Sequence, residues 1–290
     1  MDFHIQVRQK VLRNERSSFV HLNIKLITMC EFIRPLLILA GLGMVMFEIG
    51  IKAEVLKSVF SILTPIVGEV KLRADEEGWK IKAVDPAHVA LVDLSIAKEA
   101  FENYDVEPME IGLNVERLLE QVKNAKADEE VKMKLDEDNR LVVSMSNLTL
   151  KLPLVDASGF SDPKVPNLSL PVVLKLNSGE LNKALKISAS ISDYITLKCT
   201  EDKLIMTSSE DLSSMTLELH KDEEYEQLEF QEGCKSSFSL DYFSHMMKGV
   251  GNNRDIQINI GNSYPLKLDF EFAEGNGKAR YLLAPRIEST

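Results

Sequence analysis

The sequence predicts an α+β protein built from two similar halves. Short segments in which apolar and polar residues alternate are typical of β-strands, and they dominate the chain. Four segments carry apolar residues three and four positions apart, which predicts amphipathic helices. The first helices of the two halves (Glu54 and Glu180) and the second helices (Val115 and Asp241) are each separated by 126 residues. A shared offset indicates an internal repeat, with halves close to the usual size of a domain.

The first half is predicted to begin with a strand and a helix. Leu56, Val59, Phe60 and Leu63 share one face of this helix, which is the face expected to meet the sheet. Polar clusters mark hairpin turns later in this half. The elements expected in order are a strand at 47–51, a helix at about 54–63, a turn at 75–78, a helix at 115–125 and a turn at 136–139.

The second half is predicted to repeat this plan. Leu181, Ala184, Leu185 and Ser188 occupy the same helical spacing as the apolar residues of the first helix. The expected elements are a strand at 173–176, that helix, a turn at 201–203, a helix at 241–250 and a turn at 261–263.

The segment 156–171 separates the halves and is predicted to be an extended surface connector. Its three prolines and one glycine exclude a helix and disfavour a central strand. Val165, Leu168 and Leu170 are apolar, which a plain spacer does not require. Two interpretations stay open at this point: these side chains form a docking edge, or they hold the connector against its own domain.

The first 45 residues differ in composition from the rest. They hold six basic and three acidic residues and end in an uncharged run over residues 35–47, which is shorter than the roughly 20 residues that span a bilayer. We expect a start codon placed too far upstream, with Met46 or Met44 as the real beginning, or a disordered extension. A signal peptide or membrane anchor is the alternative. The expected division is an extension at 1–45, a first domain at 46–155, the connector at 156–171 and a second domain at 172–290.

Composition favours a binding protein over an enzyme. The net charge of −11 argues against a protein that coats nucleic acid with its whole surface. Cys30, Cys199 and Cys234 are far apart, which predicts neither a zinc site nor a disulfide framework and favours a reducing compartment. The phosphate-binding, zinc-protease and nucleophile-elbow motifs do not occur in the sequence. We therefore expect no catalytic residue, no metal and no cofactor.

Basic residues recur on or beside all four predicted helices, whereas most acidic residues fall in turns and at strand ends. A repeated fold would turn these helix faces the same way, and such a basic face would attract the phosphate backbone of a nucleic acid, with contacts independent of base sequence. For any single lysine, an ordinary solvated helix face is the competing interpretation. The candidate DNA-binding residues are Lys57, Arg117, Lys123, Lys126, Lys183, Lys186 and Lys248.

Four segments resemble the proliferating cell nuclear antigen family of DNA polymerase sliding clamps, and the archaeal members in particular. They are Met46-Phe47-Glu48, the run Ala83-Val84-Asp85-Pro86-Ala87-His88-Val89-Ala90-Leu91-Val92, the run Leu174-Lys175-Leu176-Asn177-Ser178-Gly179-Glu180-Leu181, and Leu283-Ala284-Pro285-Arg286-Ile287-Glu288. The resemblance implies a closed homotrimeric ring of six similar domains. Antiparallel sheets would lie outside and two helices per domain inside, around duplex DNA.

The resemblance also implies two sets of contact residues. A hydrophobic pocket beneath the connector would take the short peptide motif of DNA polymerase, flap endonuclease and ligase. The pocket residues carried over are Val84, His88, Val165, Pro166, Leu168, Pro265, Leu282, Leu283, Ala284 and Pro285. Subunits would join through edge strands at 146–152 and 213–219, with Leu148, Leu150, Leu152, Met215, Leu217 and Leu219 as the interface residues.

Lys123, Lys183, Lys186 and Lys248 match basic positions of the family, while Glu120 occupies a position that is often basic, which leaves the total charge of the channel open.

The expected function is that of a sliding clamp that tethers DNA polymerase and other replication and repair proteins to DNA, with a separate clamp loader and no membrane association. Its expected location is the cytoplasm at the nucleoid, or the nucleus in a eukaryote. Two alternatives stay open: a specialised or heterotrimeric clamp subunit, and a secreted or membrane-tethered binding module that rests wholly on residues 1–45.

Overall fold

The computed structural model describes residues 46–286. The expectations for residues 1–45, including the start at Met46 or Met44 and the signal or anchor alternative, lie outside the described residues. Among the described residues, no helix is long and apolar enough to cross a membrane.

The first half consists of nine strands and two helices within the described residues. In chain order these are β1 (Phe47–Lys52), α1 (Ala53–Leu63), β2 (Glu69–Asp75), β3 (Gly78–Val84), β4 (Ala90–Ala97), β5 (Asn103–Val106), β6 (Met109–Asn114), α2 (Val115–Val122), β7 (Glu130–Leu135), β8 (Leu141–Met145) and β9 (Leu148–Leu152).

The second half repeats this order. Its elements are β10 (Val172–Asn177), α3 (Ser178–Ser188), β11 (Tyr194–Cys199), β12 (Lys203–Glu210), β13 (Ser213–His220), β14 (Tyr225–Phe230), β15 (Cys234–Ser239), α4 (Leu240–Val250), β16 (Asp255–Ile260), β17 (Leu266–Phe272) and β18 (Gly277–Leu283). The prediction of an α+β protein with two similar halves is confirmed.

The structure corrects two details of the predicted repeat. Helix starts are 125 residues apart and not 126, as Ala53 and Ser178 show. The equivalent of Glu54 is therefore Gly179, one residue before the Glu180 that the sequence pattern indicated. Helix α2 ends at Val122 and not at residue 125. Asn124 follows shortly after, and asparagine favours turns over helix interiors. The Ala125 amide donates to the Val122 carbonyl oxygen, which forms a tight turn at the end of the helix.

Three antiparallel sheets form the outer layer. A five-stranded sheet has the order β5-β1-β7-β8-β9, and a four-stranded sheet has the order β13-β12-β11-β15. The central sheet has nine strands in the order β14-β10-β16-β17-β18-β4-β3-β2-β6, so it contains strands from both halves. The two halves meet where β18 pairs with β4, in a register that places Leu283 opposite Ala90 and Gly277 opposite Ile96.

The four helices form one layer over these sheets. Helix α1 contacts α2 on one side and α4 on the other, and α4 contacts α3, so the order is α2-α1-α4-α3. The apolar side chains between helices and sheets form one continuous core that includes Leu56, Trp79, Leu185 and Phe243. The layer arrangement follows from helices that are apolar on a single face.

Helices α1 and α4 approach closely where the halves meet. A Cβ atom on Gly249 would lie 2.6 Å from the Ser61 carbonyl oxygen, so only glycine fits there. The hydroxyl of Tyr281 on β18 donates to the Ile62 carbonyl oxygen at 2.5 Å, and this pair is buried. The junction between the halves is therefore as closely packed as a domain interior.

Candidate functional site

Four of the seven candidate cations on the helix layer are unpaired. Arg117, Lys126, Lys186 and Lys248 are exposed, and in the described part of the chain none of their cationic side-chain groups has a carboxylate within 4 Å. Ammonium and guanidinium groups in this state can contact phosphate oxygens without first breaking an ion pair.

The other three cations already have partners. Lys123 pairs with Glu120, and the Lys183 ammonium lies 2.9 Å from Glu180. Such exposed pairs contribute little stability, so a phosphate can compete for either lysine. Lys57 is half-buried, and its Nζ donates to the Ala125 carbonyl oxygen at 2.5 Å, which fixes the chain after α2. No pattern in the sequence indicates this internal contact.

An apolar row crosses the central sheet on the face opposite the core. Val84, Leu91 and Leu282 lie directly opposite one another on three adjacent strands, and Lys267 ends the row on the fourth. Leu91 and Leu282 are 7% and 6% exposed, yet neither belongs to the continuous core. Their chain neighbours, such as Leu283, face the core because side chains alternate along a strand. The outer face therefore has an apolar floor of its own.

The start of the connector is held at the edge of this sheet by charge. Asp162 lies 2.9 Å from the Lys71 ammonium, and it also pairs with Arg73. Lys71 is only 10% exposed, and its hydrogen bond to Asp162 is the main cause that lowers the pKa of this carboxyl below its ordinary value.

The end of the connector is held by packing and by a main-chain bond. Leu170 is 2% exposed, and the Pro171 carbonyl accepts from the Gln231 amide at 2.9 Å. Between these two anchors, residues 163–169 have no regular secondary structure.

The ten predicted pocket residues fall into four groups. Val84, Val165, Leu168, Pro265, Ala284 and Pro285 are half-buried, and His88 and Pro166 are exposed. Leu282 lies in the apolar floor. Leu283 is 1% exposed and belongs to the core, because it points to the other face of β18. The structure thus places Leu282 on the outer face of the sheet, beside the connector (the outer groove), and Leu283 on the face towards the core.

The loop between β3 and β4 is organised by one buried carboxylate. Asp85 is 3% exposed and accepts the backbone N–H groups of Ala87, Val89 and Ala90 at 3.0, 2.7 and 2.6 Å. It also accepts the hydroxyl of Tyr242, from α4 of the other half, at 2.8 Å. Burial opposes ionisation of Asp85, but these hydrogen bonds outweigh it and hold the pKa of its carboxyl below the ordinary value.

The two strands predicted for subunit contact are both edge strands, β9 of the five-stranded sheet and β13 of the four-stranded sheet. Their side chains are less available than the sequence indicated. Leu152, Met215 and Leu219 are buried in the core, Leu150 and Leu217 are half-buried against it, and Leu148 is 46% exposed. What these edges offer to another chain is mainly their backbone.

Two residues of the outer groove were not found from the sequence. Leu91 lies inside the run from Val89 to Val92, where an uninterrupted apolar stretch on an otherwise alternating strand signals burial on both faces. Tyr264 is 54% exposed and lies against Gly261 beside the end of the connector. No periodicity distinguishes it from an ordinary surface tyrosine.

No metal-binding cluster of three or more His, Cys, Asp or Glu side chains occurs within residues 46–286. Cys199 and Cys234 lie opposite each other on β11 and β15, both buried as free thiols. Burial raises the pKa of the Cys199 thiol to about 12 and that of Cys234 to about 11. These thiols are structural in character.

Comparison with known proteins identifies the family of the chain. Residues 46–157 match the model of the N-terminal domain of proliferating cell nuclear antigen, and residues 164–286 match the model of its C-terminal domain. The chain belongs to the proliferating cell nuclear antigen family.

Relatives in this family span the whole described region. A DNA polymerase sliding clamp of Methanosarcina barkeri is 35% identical over 246 residues, which cover 84% of this chain and 100% of the relative. A solved structure of the C-terminal region of FEN-1 bound to A. fulgidus PCNA has a TM-score of 0.78 and 31% identity, with coverage of 84% and 100%. The crystal structure of PCNA from Thermococcus kodakaraensis has a TM-score of 0.77 and 26% identity, and the match covers 83% of this chain and 100% of that one.

We predict that Asp85→Asn lowers the free energy of unfolding by about 1–3 kcal/mol at pH 7, because an amide leaves some of the surrounding N–H and O–H donors without an acceptor. The pKa of Asp85 is depressed in the folded state, so its contribution is present above the unfolded value of about 3.9 and is lost as pH falls through the folded value. Urea titrations at pH 7, 5 and 3 measure this.

Glu76→Gln, at an exposed turn between β2 and β3, is the matched control and should change little at any pH. A deficit of Asp85→Asn that is the same at pH 7 and pH 3 would contradict the assigned role of the carboxylate.

Proposed function

We propose that this protein is a sliding clamp: three copies close into a ring around double-stranded DNA and tether DNA polymerase and other replication and repair proteins to it. Membership of the proliferating cell nuclear antigen family supports this proposal. One structural observation carries it: β9 and β13 are open sheet edges. In the internal repeat they are the counterparts of β18 and β4, which are already paired inside the chain.

The internal repeat defines that correspondence. Strand β9 is the last strand of the first half as β18 is of the second, and β4 corresponds to β13. Inside the chain β18 pairs with β4, whereas β9 and β13 stand at sheet edges. Pairing β9 of one copy with β13 of the next repeats the same junction. A head-to-tail contact of this kind closes into a ring when its rotation allows, and the family resemblance favours three copies.

The helix layer supports a DNA channel. If every junction copies the one inside the chain, all helices face the same side of the ring, as α1 and α4 already do. The unpaired cations of this layer would then meet phosphates, while acidic clusters such as Asp222-Glu223-Glu224 lie in turns between outer strands. Contacts to phosphates carry no base information, so the clamp would slide on any sequence.

The outer groove supports a peptide-binding role. It has an apolar floor at Leu91 and Leu282, a connector held only near its ends, and an exposed aromatic residue at Tyr264. Short apolar segments bind such grooves and add main-chain hydrogen bonds along an extended strand. The relative bound to the C-terminal region of FEN-1 supports flap endonuclease as one partner class, with DNA polymerase, ligase and a clamp loader as others.

We infer that the protein has no catalytic activity of its own and acts wherever the DNA of the cell is, with the cytoplasm at the nucleoid, or the nucleus, as the expected location. The proposed organisation is a first clamp domain at 46–155, the connector at 156–171 and a second clamp domain at 172–290. The family models, which end and begin at residues 157 and 164, support a division in this region.

We predict that Lys183→Glu with Lys186→Glu weakens binding to duplex DNA and leaves the mass of the assembly unchanged. Because each lost phosphate contact lowers the slope of log affinity against log salt by about 0.9, two should flatten it by about 2. Fluorescence anisotropy of a labelled duplex over a range of salt concentrations, beside sedimentation of the variant, measures both effects.

Lys198→Glu with Lys235→Glu is the matched control, since these exposed lysines lie opposite each other on β11 and β15 and carry the same change of charge away from the helices. An unchanged slope in the α3 variant, or an equal change in the control, would refute the channel assignment.

We predict that Leu168→Ala with Pro265→Ala weakens binding of a flap-endonuclease C-terminal peptide by at least roughly tenfold, since two apolar contacts of the groove are lost. Isothermal titration calorimetry of the full chain measures the affinity. Leu228→Ala with Pro108→Ala, at exposed sites on β14 and before β6, should bind as the wild type does. Full binding by the Leu168 and Pro265 variant would place the peptide elsewhere.

A further inference from the structure

Five large apolar side chains in the described region are exposed: Leu148, Ile187, Leu212, Leu228 and Tyr264. Leu212 is the extreme case at 103% exposure, whereas the other four are between 44% and 54% exposed. It lies at the turn between β12 and β13, directly before the open edge strand β13. A single exposed leucine is common, so its position has to decide whether it has a function.

The internal repeat assigns Leu212 a counterpart that is covered. Strands β4 and β13 each have eight residues, so Ser213 corresponds to Ala90 and Leu212 corresponds to Val89. Val89 is half-buried against the core, and its carbonyl accepts from the Ala284 amide at 2.8 Å. In the closed junction inside the chain, this position is therefore covered by the segment that follows β18.

The same correspondence shows what would cover Leu212. Leu283 ends β18 and lies opposite Ala90. Its counterpart Leu152 ends β9, so a second copy would place Leu152 opposite Ser213 and Pro153 opposite the exposed leucine. Other antiparallel registers also keep all five residues of β9 paired within β13. In these registers the residue opposite Leu212 shifts by three positions at most, from 153 to 156.

A cavity with a mixed lining, in which leucines alternate with polar residues such as Asn114, lies at that place. A space of about 160 Å³ at the end of β9 is lined by Leu113, Leu118, Leu152 and Leu154, among others. An apolar cavity of roughly 150 Å³ accommodates a benzene-sized group, and a leucine side chain is no larger. The Leu212 side chain (the knob) and the cavity therefore match in size and in position along the two edges, and the leucines of the cavity wall offer it apolar contact.

The wall of the cavity carries one acidic residue, Glu69, and one basic residue, Arg117, and the basic residue is opposite in charge to the residues that precede Leu212. Glu210 and Asp211 precede the exposed leucine, and both are exposed. Arg117 lines the cavity, and no carboxylate in the described region lies within 4 Å of it. In the closed junction its counterpart is Tyr242, which donates to Asp85 of the loop before β4. The same contact between helix and loop would recur between copies as an ion pair.

A second exposed side chain fits the same junction. Ile187 on α3 is 48% exposed, whereas its counterpart Ile62 on α1 is fully buried. The Ile62 carbonyl accepts the hydroxyl of Tyr281 across the junction inside the chain. The counterpart of Tyr281 on β9 is the half-buried Leu150, which would reach Ile187 of a second copy.

We propose that Leu212 of one copy inserts into the cavity at the end of β9 of a second copy, with its acidic neighbours beside Arg117, and that this contact stabilises the ring. The inference rests on the proposed clamp function and deepens it. It also assigns Arg117 to the contact between copies, so that it is not primarily a DNA ligand.

Sedimentation of the full chain over a dilution series tests this inference. Leu212→Ser should raise the Kd of the subunit contact by roughly tenfold or more, the factor expected from leaving one leucine side chain unburied. Leu228→Ser, an exposed leucine on β14, should leave it unchanged. Both variants should melt nearly like the wild type when monomeric, since both side chains are exposed in the isolated chain.

A cysteine pair tests the position of the contact. Pro153→Cys with Leu212→Cys should form a disulfide between copies under mild oxidation with a low-molecular-weight disulfide, while Pro153→Cys with Leu228→Cys should not. If the wild type forms a trimer but Leu212→Ser does not weaken the subunit contact, the inference is overturned and the proposed ring stands. The same holds if the variant with Pro153→Cys and Leu212→Cys forms a trimer that does not cross-link. A wild-type chain that stays monomeric at every concentration overturns the proposed ring as well.

Discussion

The main-chain ladder between β18 and β4 joins the two halves of the chain, and the candidate sites depend on it. It merges strands from both halves into one nine-stranded sheet. It also brings α1 against α4, and Gly249 lies where the two helices approach most closely. The hydroxyl of Tyr281 donates a hydrogen bond to the Ile62 carbonyl oxygen at the same junction. Because this contact is main-chain hydrogen bonding backed by a buried apolar core, the two halves have one defined orientation. That orientation puts all four helices in one layer.

The same ladder creates the outer groove. Leu91 belongs to β4 and Leu282 to β18, so the apolar floor exists only where the halves meet. The connector, which has to run between the halves, is held at its start by Asp162 and at its end by Leu170. Its central part is free of regular structure. The edge that we propose binds peptides is thus a consequence of joining two repeats with one linker.

Much of the fold could be predicted from local patterns. Helical spacing at Leu56 and Leu181 and the polar turns at 75–78 and 201–203 follow from side-chain periodicity and turn chemistry, which act within a few residues. The pairing of β18 with β4 joins segments far apart in sequence, and no period reveals it.

For that reason the sequence did not distinguish Leu282, in the groove, from Leu283, in the core, and missed Leu91, Tyr264 and the bond from Lys57 to Ala125. The pocket, interface and channel residues therefore stay predictions, since family resemblance and placement support them without testing them.

The most direct test of the central claim is topological. The full chain is loaded by a clamp loader onto nicked circular duplex DNA, free protein is removed, and half of the sample is cut once by a restriction enzyme. A ring that encircles DNA and slides stays with the circle and is lost from the ends of the linear molecule. Equal retention on circular and linear DNA would show that the protein binds the surface of the duplex, and would contradict the account.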